Sequence, residues 1–186
     1  MSMRFTFTLD DHDLRYFQRL LRDAKKYSKD RDPEEIVGAV RALVKRVRAA
    51  ERMPRFAEDA VDTLETLMAM IEDKDWALPK ATSDRVLASL AYFAAPDDLI
   101  PDHVPGLGFL DDAIMVKIVE GEFEPELWGY RKFCKFRKGA EQRPWTEVAK
   151  QRLPRRLEEK RKQIREEIDV RREKARARKG RALLRW

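Results

Sequence analysis

Along most of the chain the apolar residues recur at intervals of three and four, the spacing that gathers them on one face of an α-helix. The exception is the start. From Met3 to Leu9, Phe5, Phe7 and Leu9 alternate with Arg4, Thr6 and Thr8, the period-two signature of a half-buried strand. No second segment of that quality follows. Residues 3–9 therefore either pair with a copy of the chain or another protein, or lie as an extended arm on the helices. Asp10 or Asp11 then caps a first helix whose apolar face is Leu14, Phe17, Leu21 and Ala24. Pro33 suits the first turn of a second, with Glu34 and Glu35 at its positive end and a stripe of Ile36, Val40, Val44 and Val47. Pro54 opens a third, with Ala60, Val61, Leu64, Leu67, Met68 and Ile71 facing inward.

A linker around Trp76 to Lys80 leads to a fourth helix, capped by Thr82 or Ser83, carrying Val86, Leu87, Leu90 and Phe93, and ended by Pro96. A loop rich in Pro and Gly follows, then a fifth helix, apolar nearly all round and so expected at the centre of a bundle. The sixth, from about Pro125 to Arg137, mixes Leu127, Trp128, Tyr130, Phe133 and Phe136 with cations. The last is expected from Pro154, with a thin stripe of Leu153, Leu157, Ile164 and Ile168 interrupted by Lys160. Pairs four apart, Glu158 with Lys162 and Glu167 with Arg171, would support it as a solvated helix. The expected fold is all-α: a compact bundle of about six helices, with a short N-terminal strand or arm (1–9), a helical domain (10–140) and a linker plus extended basic C-terminal helix (141–186).

Composition agrees with a helical core but adds charge. Hydrophobic residues make up 43% of the chain and charged residues 40%, well above the roughly one quarter usual in such domains. The single cysteine, Cys134, excludes an internal disulfide framework and fits a reducing compartment, most simply as a packed side chain. No leader pattern opens the sequence, and the longest uncharged run, Val86 to Pro96, is too short to span a bilayer. A cytoplasmic protein is expected, with a peripheral position at the inner membrane surface as an alternative. The formal net charge of +6 conceals a division: from Arg131 to the end, 22 Lys and Arg face 8 Asp and Glu, and the preceding residues are net acidic. A chain so polarised suits a polyanionic partner or a contact between its own ends.

The loop supplies the one recognisable motif. Pro96, Asp98, Leu99, Ile100, Pro101 and Asp102, then Pro105, Gly108, Leu110, Asp111 and Asp112, precede and open the fifth helix. In this order they resemble the YkvA-like family of small bacterial proteins over residues 86–118. The resemblance implies no activity, because that family's function is not established. Hydrophobic flanks place many of its members in membranes, whereas here Asp97, Lys117 and Glu120 interrupt the flanks. Physically, the carboxylates serve as caps and turn acceptors of a rigid corner, with Asp111 and Asp112 stabilised in a helix's first turn. The alternative is a divalent-cation or catalytic site formed by Asp98, Asp102, His103 and Asp111 or Asp112, although the two adjacent aspartates diverge by about 100° on a helix. No nucleotide loop, nucleophile elbow or cofactor motif is present, so no cofactor is expected.

The basic end gives the sharper functional expectation. Arg131, Lys132, Lys135, Arg137 and Lys138 alternate with aromatic residues, and Arg171, Arg172, Lys174, Arg176, Arg178, Lys179 and Arg181 crowd the tail, with Glu173 its one acid. Cations beside aromatic rings suit nucleic-acid backbones and stacked bases; the alternative is that Phe133 and Phe136 are core residues and the lysines merely solvated. The expectation is a non-catalytic interaction protein whose basic region contacts nucleic acid or a ribonucleoprotein. A peripheral membrane adaptor is the second reading, and a metal-dependent hydrolase at the aspartate loop the third.

Overall fold

The computed structural model describes residues 8–28, 31–50, 53–94, 109–142 and 147–183. These form seven α-helices: α1 (Asp11–Tyr27), α2 (Pro33–Arg48), α3 (Arg55–Glu72), α4 (Lys80–Leu90), α5 (Leu110–Glu122), α6 (Glu124–Glu141) and α7 (Glu147–Leu183), with a 3₁₀ turn, Ala91–Ala94, extending α4. The all-α expectation holds, and no strand occurs among the described residues. The alternating segment falls largely outside them: only Thr8 and Leu9 are described, and neither is in a strand.

Contacts divide the chain into two units. The first comprises residues 1–65 and 80–119, the second residues 66–79 and 120–186. In the first unit, α1 begins at a reciprocal cap. Asp10 Oδ1 accepts from the backbone N–H of His12 (2.7 Å) and Asp13 (2.9 Å), while Asp13 Oδ2 accepts from the N–H of Asp10 (3.0 Å). α2 starts as expected, with Pro33 in its first turn and the Asp32 carboxylate accepting from Glu34 N–H. α4 and its 3₁₀ turn pack against α1 and α2, burying Phe17, Leu21, Ile36, Val40, Val86, Leu90 and Phe93. Arg48, at the end of α2, reaches α3 with a two-pronged contact to Glu65 and a further bond to Asp62 at 2.7 Å. α4 starts at Lys80, so Thr82 is a buried residue within the helix rather than its cap.

The second unit is built around α6 and α7, which pack antiparallel. Lys132 meets Glu167, Arg171 meets Glu124 at 2.8 Å, and Arg172 meets Glu126 at 2.7 Å. The thin stripe is the reason they pack. Leu157, Ile164 and Ile168 are buried, each worth about 1.5–3 kcal/mol, and Phe133 and Leu127 are buried in the same unit. The close approach occurs at Gly129, where a Cβ would lie 2.5 Å from Ile168 Cδ1 and 3.1 Å from Ile164 Cγ2. Two expectations are corrected. α7 begins at Glu147, with Pro154 inside it; one proline withholds one backbone N–H, and the helix continues on both sides. Glu158 pairs with Lys162 as expected at 2.8 Å, but Glu167 and Arg171 are drawn to partners on α6 rather than to each other.

Candidate polyanion interface

α6 sorts its residues into two flanks by the helical period. Leu127, Tyr130 and Phe133 are buried, leaving Arg131, Lys135 and Lys138 exposed. None of these three exposed cations has an ion-pair partner among the described residues. Beside them runs a groove of about 370 Å³, lined by Glu120, Glu124, Leu127, Trp128, Arg131, Lys132 and Lys135. Trp128 carries two cations against its ring, Lys132 Nζ at 4.9 Å and Arg171 Cζ at 4.4 Å from its centroid. Two turns further along α6, Phe136 repeats the arrangement with Arg156 Cζ at 5.8 Å and Lys160 Nζ at 5.6 Å. Such contacts each contribute about 0.5–1 kcal/mol at exposed positions and hold the cations in place along the helix pair.

The residues expected to meet a polyanion therefore fall into three groups. Arg131, Lys135, Lys138, Lys174 and Arg176 are exposed. Lys132, Arg137, Arg171 and Arg172 are engaged by carboxylates of the same unit: Lys132 by Glu167, Arg171 by Glu124, Arg172 by Glu126, and Arg137 by Asp73 and Asp75. Burial works hardest against the charge of Arg172, but the buried Glu126, together with Asp169, outweighs it and raises its pKa. Arg178, Lys179 and Arg181 lie in α7 beyond the last described side chains.

Arg137 belongs to a group that the linear sequence does not bring together. The segment 73–77 follows α3 and makes a tight turn in which Asp73 Oδ1 accepts from the N–H of Asp75 and of Trp76. Asp73, 8% exposed at its side chain, also receives both terminal nitrogens of Arg137 (2.7 and 2.9 Å) and the hydroxyl of Tyr130 at 3.1 Å. Burial alone would raise its pKa, but Arg137, the Trp76 N–H and Tyr130 together hold it below the usual aspartate value. Tyr130 is pushed well above the ordinary phenol value, first by burial and then by Cys134 and Asp73. Trp76, expected in a linker, is 1% exposed and packs against Tyr130 and Phe133 at centroid distances of 5.8 and 5.2 Å. Nothing in its sequence neighbourhood signals this, since a single residue in a turn has no period.

The aspartate loop divides differently. Asp98, Asp102 and His103 lie outside the described residues. Asp111 and Asp112 sit in the first turn of α5 as expected, and both are buried. A separate trio, Asp10, His12 and Asp13, has ligand atoms within 4.8 Å of one another, but this is the cap of α1 and is largely exposed. No described helix is long and apolar enough to cross a membrane. The first unit holds an apolar groove of about 420 Å³, lined by Leu9, Leu14, Phe56, Ile114 and Ile118 among others.

A family model described as "Protein of unknown function (DUF1232)" matches residues 85–118. That stretch runs from α4 through the loop into α5 and is nearly the segment singled out by its prolines and aspartates. Comparison with curated proteins and with solved structures finds no match.

Proposed function

We propose that the protein is a non-catalytic binding module whose α6–α7 pair takes a polyanion, most simply the phosphate backbone of nucleic acid or of a ribonucleoprotein. The observation that carries this reading is the row Arg131, Lys135 and Lys138, exposed on one helix and without carboxylate partners among the described residues. The second unit as a whole has 23 Lys and Arg against 15 Asp and Glu. Trp128 and Phe136 already hold cations against their rings, so base stacking there would have to displace them. Recognition of backbone charge, indifferent to base sequence, is favoured for that reason.

The membrane-adaptor reading is less well supported. That reading uses Arg171 to Trp186 at an anionic surface, where a helix inserts an apolar face, and the described part of this segment, Arg171 to Ala177, offers only alanines as apolar side chains. The hydrolase reading would need Asp98, Asp102 and His103 to join the buried Asp111 or Asp112, and nothing favours it above a capped corner. The likeness of residues 86–118 to YkvA-like proteins adds a family context without a chemistry.

The test is fluorescence anisotropy with labelled duplex and single-stranded DNA and RNA across a salt series. Binding should weaken steeply with salt. The triple variant Arg131→Gln/Lys135→Gln/Lys138→Gln should flatten the log–log slope by up to about 2–3, at about 0.9 or less per lost phosphate contact. An unchanged slope in that variant, or binding to anionic vesicles but to no nucleic acid, would overturn the proposal.

A further inference from the structure

The turn at 73–77 gathers more positive charge than it neutralises. Arg161 Nη1 donates to the carbonyl of Asp75 at 2.9 Å, and Arg165 Nη2 donates to the carbonyls of Trp76 (3.0 Å) and Ala77. Carbonyl oxygens orient a guanidinium but do not cancel its charge. The carboxylates of the turn, Asp73 and Asp75, are both taken by Arg137, and Glu158 on α7 is taken by Lys162. Arg137, Arg161 and Arg165 thus meet two carboxylates, an excess of one positive charge.

Hydrogen bonding tells the same story. Three buried side-chain N–H donors lack an acceptor among the described residues, Trp76 Nε1, Arg161 Nε and Arg165 Nε, and all three belong to this turn and the helix beside it. Arg165 Cζ lies 5.9 Å from the Trp76 ring centroid. Burial and then Arg161 both depress the pKa of Arg165, and no acid counters them. Arg161 and Arg165 stand four apart on α7, which puts their side chains on the same face of the helix, close enough for Arg161 to act on the charge of Arg165.

We propose that Arg161 and Arg165, with the turn at 73–77, form a binding site for a small phosphate-class oxyanion. An oxyanion offsets the excess charge, and several oxygens on one centre suit two forked guanidiniums better than a single carboxylate does. The site does not rest on the polyanion reading, since Arg131, Lys135 and Lys138 take no part in it. The same chemistry could be offered by inorganic phosphate or by the terminal phosphate of an oligonucleotide.

Isothermal titration of the full chain with inorganic phosphate, at constant ionic strength set with chloride, tests it. Thermal shift is avoided because phosphate stabilises proteins generically. Saturable one-to-one binding is expected, weakened about tenfold or more in Arg161→Gln and in Arg165→Gln and unchanged in Lys135→Gln. Circular dichroism checks the variants; if Arg165→Gln loses helicity, Arg161→Gln alone decides. No saturable binding, or equal binding by Arg161→Gln, overturns the proposal. Competition by a 5′-phosphorylated but not a 5′-hydroxyl trinucleotide supports it with a terminal phosphate as ligand. Competition by neither supports it with inorganic phosphate, and equal competition by both overturns it.

Discussion

Asp73 shows how much one side chain can organise. Its carboxylate closes the turn after α3 through two backbone N–H groups, and it anchors Arg137 and Tyr130 from α6. Asp73→Asn should therefore cost about 3 kcal/mol, because it leaves the largely buried Arg137 without its main counter-charge. The pH dependence follows from the direction of the shift. The folded-state pKa lies below the ordinary 3.8, so the carboxylate's contribution is complete above that value and is lost as the pH falls through the lower, folded value. Chemical denaturation between pH 5 and pH 2 should show a steeper acid loss in the parent than in Asp73→Asn. Equal acid limbs would show that Asp73 is not stabilised in its charged form. None of this group was legible as a group: Asp73, Tyr130 and Arg137 are each ordinary in the linear sequence, and only folding brings residues 57 and 64 positions apart into contact.

At the scale of elements, periodicity performed well because the helices bury single faces. The stripes expected for α1 to α4 contain most of the core observed in those helices, including Phe17, Leu21, Val40, Leu64 and Leu90, while Met70 lies outside them. The errors fell where tertiary contacts outbid local ones. Glu167 and Arg171 are suitably spaced for each other, yet each has a partner on α6. Gly129 was likewise silent in the sequence, although it is where α7 comes closest to α6. Alanine at this mid-helix position would gain about 1 kcal/mol of helix propensity. The clash of its Cβ with Ile168 and Ile164 should exceed that gain, since overpacking costs about 1–3 kcal/mol. Gly129→Ala is expected to lower the denaturation midpoint, and Gly129→Ala/Ile168→Val to recover part of the loss. A midpoint raised by the single substitution would mean the helices separate without cost.

For the molecule as a whole, the structure moves the line between body and tail. The sequence sets residues 141–186 apart as a linker and extended basic helix, yet Leu157, Ile164 and Ile168 are buried and Arg161, Arg165, Arg171 and Arg172 are bonded within the second unit. Removing residues 153–186 would strip α6 of its partner and expose Phe133, so lost binding in that truncation would report lost folding. The separable tail begins after Arg172. Truncation there deletes six Lys and Arg with the single acid Glu173, while every described ion pair of α7 with α6 stays intact. The shortened protein should keep its helicity and its denaturation midpoint. Its affinity for nucleic acid should fall at low salt, with the log–log salt slope reduced by about 0.9 for each duplex phosphate contact that the deleted cations made. If the slope does not change, the tail takes no part in binding and the exposed cations of α6 carry the interaction alone. If the midpoint falls instead, the end of α7 contributes to the fold beyond the packing that Ile164 and Ile168 provide.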